Sequence, residues 1–102
     1  MKLKQMVELF KKHSDEEYIE FDRIPKEART SARADLHGFM LLDKLAPSKN
    51  GEDIVCGSSH DIIYLGVNLK ALSRNITEEQ VIELLRCGVS YDSSHDCLTM
   101  FT

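Results

Sequence analysis

The hydrophobic period of this chain first changes at Ala46-Pro47-Ser48-Lys49-Asn50-Gly51, the strongest break in it. Proline, glycine, asparagine and serine interrupt both helices and strands, so this run is a loop that divides the chain into two kinds of pattern. Upstream of it, apolar residues recur at helical spacing. Leu3, Met6, Val7 and Phe10 stand at i, i+3, i+4 and i+7, which predicts an amphipathic helix over 2–13. Pro25 suits the first turn of a second helix, because the N–H it lacks would be unpaired there. Ala28, Ala32, Leu36, Phe39, Met40 and Leu42 carry that core helix from about 25 to 45. Gly38 costs it about 1 kcal/mol relative to alanine, which implies a close approach by another backbone or a kink. Tyr18-Ile19-Glu20-Phe21 reads as an extended link that packs Tyr18 or Phe21 on the core.

Downstream of the loop the period becomes strand-like. Asp53 to Cys56 and Ile62 to Val67 are β-rich runs joined by Gly57-Ser58-Ser59, predicting a hairpin over 53–67. Asn68 can cap a short helical turn over 69–72. The strongest local signal follows. Thr77 is a good N-cap, Gln80 completes a capping box, Ile76 can staple onto Val81, and Gly88 is a left-handed stop after Cys87. This predicts a helix over 78–87. Residues 89–101 read as a second hairpin, with Leu98 and Met100 on one face and Cys97, Thr99 and Phe101 on the other. The expected fold is one α+β domain over 1–102, its helices packed on one face of a small antiparallel sheet built from two hairpins.

Charge narrows the function classes. Formal net charge is −4; residues 1–50 carry +1 and residues 51–102 carry −5. That balance disfavours broad phosphate-backbone binding. Lys26, Arg29 and Arg33, at i, i+3 and i+7 of the expected second helix, form one basic stripe that could meet nucleic acid. A helix-turn-helix reading of 69–87 fails, since its second helix carries Glu78, Glu79 and Glu83 against Arg86 alone. The first residues hold no apolar run of signal-peptide length, and no stretch reaches the ~20 residues of a membrane span. Three cysteines, Cys56, Cys87 and Cys97, form no C-x-x-C pair, which fits reduced thiols in a cytoplasm.

Ser-Ser-His-Asp occurs twice, at 58–61 and 93–96. Contiguous residues cannot assemble a Ser-His-Asp catalytic group, because neighbours in a strand point to opposite faces. The His-Asp pair of metal phosphohydrolases belongs to helices in larger domains. If the hairpins adjoin, His60, Asp61, His95 and Asp96 could converge on a metal, with Cys56 or Cys97 nearby. The bland alternative is turn chemistry, since serine and aspartate bond their own backbone. His13 reads as a surface residue at a helix end and His37 as a partly buried helix residue. No catalytic or cofactor-binding residue is assigned.

Across 35–45 (DLHGFMLLDKL), 60–67 (HDIIYLGV) and 76–92 (ITEEQVIELLRCGVSYD) the chain resembles small bacteriophage- and prophage-encoded proteins of no known activity. The resemblance implies the cytoplasm of a bacterium or infected cell, and a role in binding a host protein. The leading expectation is a small non-enzymatic protein-binding or host-modulating protein with an unidentified protein partner and no cofactor. Its surface would use a sheet edge or Tyr18, Phe21, Tyr64, Tyr91 and Phe101, features that also suit a homodimer. The alternatives are a metal protein using the paired turns and a weak nucleic-acid binder using the basic stripe.

Overall fold

The stripe at Leu3, Met6 and Phe10 forms a helix, α1 (Leu3–His13), that buries Met6, Phe10 and His13. The structure is a computed structural model describing residues 1–16 and 19–101; Tyr18, one of the two expected link aromatics, lies outside them. After α1 come two single 3-10 turns, Phe21–Arg23 and Lys26–Ala28. Helix α2 follows (Ala34–Leu45), then strands β1 (Val55–Ser59) and β2 (Ile62–Leu65). Helices α3 (Leu69–Asn75) and α4 (Glu78–Arg86) precede strands β3 (Val89–Asp92) and β4 (Cys97–Phe101).

The four strands make one antiparallel sheet of order β1-β2-β4-β3, with both hairpins as expected and β2 paired to β4 between them. Register places Leu65 beside Leu98 and Ile63 beside Met100, while Val89 and Tyr91 flank β4 from the other side. These residues form the face against which the helices pack. Met6, Phe10, Leu42, Leu72, Val81 and Leu84 meet it in one buried cluster. Ile62, Tyr64, Cys97 and Thr99 alternate onto the second face. The fold is α+β, with helices against a small antiparallel sheet. Among the described residues, no helix is long and apolar enough to cross a membrane.

Local chemistry explains the helix ends. The Thr77 hydroxyl accepts from the Gln80 N–H, and the Gln80 side chain accepts from the Thr77 N–H, completing the capping box. Such a cap contributes about 1 kcal/mol. Asn68 caps α3 by accepting from the Ala71 N–H, and that helix runs one turn beyond the expected 69–72. Gly88 lies just past α4 at φ +90°, a conformation that side chains with a Cβ rarely adopt.

Two expectations are corrected. The second helix begins at Ala34, not near 25. Between Pro25 and Arg33 the only apolar side chains are Ala28 and Ala32, whose burial is too small to hold a helix onto the core. Ser31 instead accepts from the Arg33 N–H, a local bond that competes with helical pairing. The stripe of Ala28, Ala32, Leu36 and Met40 is exposed; α2 buries His37, Gly38, Leu42 and Leu45. A Cβ at Gly38 would stand 3.1 Å from the Cys87 Cβ, so the close neighbour is a side chain of the α4 cap rather than a backbone. The second correction concerns the first hairpin. Gly57, Ser58 and Ser59 belong to β1, and Ser59 pairs with Ile62. Only His60 and Asp61 remain for the turn, with His60 at φ +54°.

Candidate functional site

The two Ser-Ser-His-Asp copies do not meet. Because β2 and β4 are antiparallel, Ile62 pairs with Phe101 and Leu65 with Leu98. The His60-Asp61 turn precedes Ile62, whereas the 93–96 loop precedes Cys97. The hairpins adjoin, yet their turns lie at opposite ends of the sheet. The expected convergence of His60, Asp61, His95 and Asp96 is therefore corrected by strand direction. Nor are the copies alike: the first is half strand, the second wholly loop. In the second, the Asp92 carboxylate accepts from the Ser94 N–H and bonds the His95 Nδ1 at 2.8 Å, while the Tyr91 hydroxyl donates to Asp96. The His95 ring packs on Tyr64 with centroids 4.8 Å apart. The His95 bond holds the Asp92 carboxyl below its usual range, and the Asp96 bond raises the Tyr91 phenol. These groups hold a loop together, as turn chemistry predicts.

The basic stripe also dissolves, because it required a helix that does not form there. Lys26 stands in a 3-10 turn and Arg33 flanks α2. Arg29 folds back on its own segment. Its Nε donates to the Ile24 carbonyl at 2.9 Å, a terminal nitrogen donates to the Phe21 and Asp22 carbonyls, and its guanidinium lies 4.7 Å from the Phe21 ring centre. A guanidinium occupied in this way holds Ile24 in place and is poorly placed to meet a phosphate.

Both helix histidines are more deeply engaged than their sequence positions suggest. His13, expected at the surface, is buried where the end of α1 meets the start of α4. One ring nitrogen faces Glu16 and the other lies 2.7 Å from the Glu78 carboxylate. His37 is 2 % exposed. Its Nδ1 receives the Thr30 N–H at 3.2 Å, so that nitrogen is the acceptor and Nε2 carries the proton. Nε2 then donates to Glu83 at 2.6 Å. This chain of bonds clamps the 24–33 segment and α4 onto α2. The Thr30 hydroxyl also lies 3.3 Å from Nδ1, but the backbone N–H already occupies that acceptor.

The thiols differ in kind. Cys56 is exposed, Cys97 half-buried and Cys87 buried. Burial, with the Glu83 carboxylate adding to it, pushes the Cys87 thiol up to about 12. Burial also raises Cys97, helped by Asp92, Cys56 and Asp96. At pH 8 the Cys87 thiol therefore stays protonated and unreactive. An aromatic disulfide reagent at that pH is expected to modify Cys56 first, Cys97 more slowly and Cys87 only after unfolding, as read by mass. The raised thiol does not weaken the fold at neutral pH. Its contribution declines only as the pH climbs above about 9, where the unfolded thiol ionises, and is gone past about 12.

What the structure gathers at the surface is apolar. A groove of about 560 Å³ opens between the first half of α2 and the sheet, bordered by Phe39, Val55, Ile63, Met100 and Phe101. Among the described residues, the exposed large hydrophobics are Leu36, Met40, Val55 and Phe101, the last 74 % exposed. Val55 and Phe101 border the groove directly. Leu36 and Met40 are i−3 and i+1 neighbours of Phe39 on α2. Of the described aromatics expected to form a partner surface, only Phe101 stands out; Phe21, Tyr64 and Tyr91 are half-buried. The signal missed in the sequence was Leu36 and Met40, read as core when they are surface.

The chain matches no protein-family model, no curated protein and no solved structure. Among the described residues, no three His, Cys, Asp or Glu side chains are grouped to hold a metal ion.

Proposed function

We propose that this chain is a non-enzymatic protein-binding module, and that the groove between α2 and the sheet is its contact surface. The observation that carries the reading is that Val55 and Phe101, both exposed, border an apolar groove together with Phe39, Ile63 and Met100. Single exposed hydrophobics are common, but a group of them bordering a concavity marks an interaction surface. The free edge of β1 adds a second element. Strand β1 ends the sheet, and its exposed residues Val55, Cys56, Ser58 and Ser59 include no charge and no proline to repel another strand. An extended segment of a partner protein laid on this edge would pair with the backbone of β1 and set alternate side chains over the groove. A host protein as that partner, and a cytoplasmic site of action, follow the resemblance to small phage proteins.

The test compares capture from bacterial lysate by the native chain and by a Val55→Ser, Phe101→Ser variant. Both positions are exposed, so the variant keeps its core. A polypeptide held by the native chain and lost from the variant is the expected result. Equal capture by both, or nothing retained by either, overturns the reading. Pairing of two copies through the same edge would appear as a dimer in native mass spectrometry, with the partner then being the chain itself.

A further inference from the structure

On the face of the sheet turned away from the helices, two of the three thiols stand on either side of a glycine. Cys97 opens β4 on that face, in line with Thr99. One step beyond the pairing of Leu65 with Leu98, the same register sets Gly66 opposite Cys97. On the other flank of Gly66, the pairing of β1 with β2 slips between Val55 and Gly57, so Cys56 is the extra residue of a bulge. Bulges re-aim a side chain, and this one turns Cys56 onto Gly66. The Gly66 N–H donates to the Ile54 carbonyl at 2.7 Å. A Cβ at Gly66 would stand 3.1 Å from the Cys56 Cβ and 3.5 Å from its Sγ. Strand β2 therefore puts no side chain between the two thiols.

Cys56 is exposed and Cys97 half-buried, so the gap is open to solvent. The charge around it suits a cation. Burial raises the Cys97 thiol first, and Asp92, Cys56 and Asp96 add to this in that order, so Cys56 acts on Cys97 more strongly than the adjoining carboxylate does. A direct disulfide does not fit. Neighbouring strands lie about 4.8 Å apart, which sets Cα atoms one strand removed about 10 Å apart. A disulfide needs roughly 4.4–6.8 Å. A bridging ion does fit, because two metal–sulfur bonds of about 2.3 Å join sulfurs about 4.6 Å apart when the three atoms lie in line. Structural zinc takes four ligands, and among the described residues no third His, Cys, Asp or Glu side chain is grouped with this pair. Soft thiolates without further ligands select copper(I). We propose that Cys56 and Cys97 hold one copper(I) ion in a two-coordinate site that joins β1 to β4 across Gly66. Each thiol gives up its proton on binding, and neither sulfur nor copper changes oxidation state. The site lies on the opposite face from the protein-binding groove and stands or falls without it.

The probe is copper(I), supplied as its acetonitrile complex under nitrogen to the reduced full chain, in competition with a chromogenic copper(I) chelator. The native chain is expected to retain a single ion, with Cys56 and Cys97 both shielded from iodoacetamide, as read by mass. Cys56→Ser and Cys97→Ser should each weaken binding about a hundredfold or more, since each turns a two-point contact into one. Gly66→Ala keeps both thiols but pushes the Cys56 side chain aside, and should weaken binding roughly tenfold, the cost of one methyl too many. Cys87→Ala, which removes the buried thiol, should leave the affinity unchanged. Cys56 is exposed, so Cys56→Ser keeps the test decisive if Cys97→Ser does not fold. No copper held against the chelator, one ion taken up per thiol, or native affinity in Cys56→Ser or Gly66→Ala overturns the proposal.

Discussion

His37→Ala is expected to lower the unfolding free energy by about 3 kcal/mol, measured by urea denaturation at neutral pH. Two costs add. The Glu83 carboxylate loses a charge-assisted donor 2.6 Å away, and the imidazole leaves a void between α2, α4 and the edge of Phe21, which meets its ring at 5.9 Å. Hydrogen bonds to charged groups contribute about 1.5–3 kcal/mol, and the void adds to that. The Thr30 N–H, by contrast, lies on an exposed residue and can turn to water, so it adds little. The same substitution should release the 24–33 segment. Arg29 ties that segment to itself, but His37 is what ties it to α2. Amide exchange at Thr30 should therefore accelerate more than in the body of α1. A loss below 1 kcal/mol, with exchange at Thr30 unchanged, would show that His37 is not the clamp described above.

Phe10→Ala should cost more, about 3–5 kcal/mol. Phe10 is 1 % exposed and the largest of the fully buried side chains. Helix α1 packs on α4, α3 and β3 at once, so the cavity would sit where three elements join. That arrangement leaves little freedom to collapse, and the spread in such costs tracks how far a site can relax. Domains of this size have only about 5–15 kcal/mol of stability in total. A fall in melting temperature of roughly 15 °C or more is the corresponding result in a thermal scan. Phe10→Leu, which keeps most of the volume, should recover more than half of the loss. A melting temperature within a few degrees of the native chain for Phe10→Ala would place α1 outside the cooperative core.

The faces of β4 were legible because they follow from a period of two. Leu98 and Met100 were placed on one face and Cys97 and Thr99 on the other, and the register agrees. The capping box at Thr77 and Gln80, the cap at Asn68 and the left-handed Gly88 were legible for a related reason. Each is decided by residues within four positions of one another. The candidate site was far less legible. Leu36 and Met40 have helical spacing, and spacing alone does not say which side of α2 the core takes.

Long-range pairing decided what the sequence left open. The second helix starts at Ala34 because Ile24 is buried against the core while Arg29 draws its own segment back, and no local pattern announces either contact. His13 became a buried residue because α4 begins where α1 ends, bringing Glu78 to its ring. The repeated Ser-Ser-His-Asp allowed either one convergent site or two separate turns, and antiparallel pairing of β2 and β4, which sends their ends in opposite directions, decided for two. Periodicity and caps are properties of neighbouring residues, so the amino-acid sequence by itself determined the two hairpins, the helices α1, α3 and α4, and the inward faces of α1 and β4. Strand order, helix docking and the burial of charged groups depend on residues far apart in the chain, and only the tertiary structure could decide them.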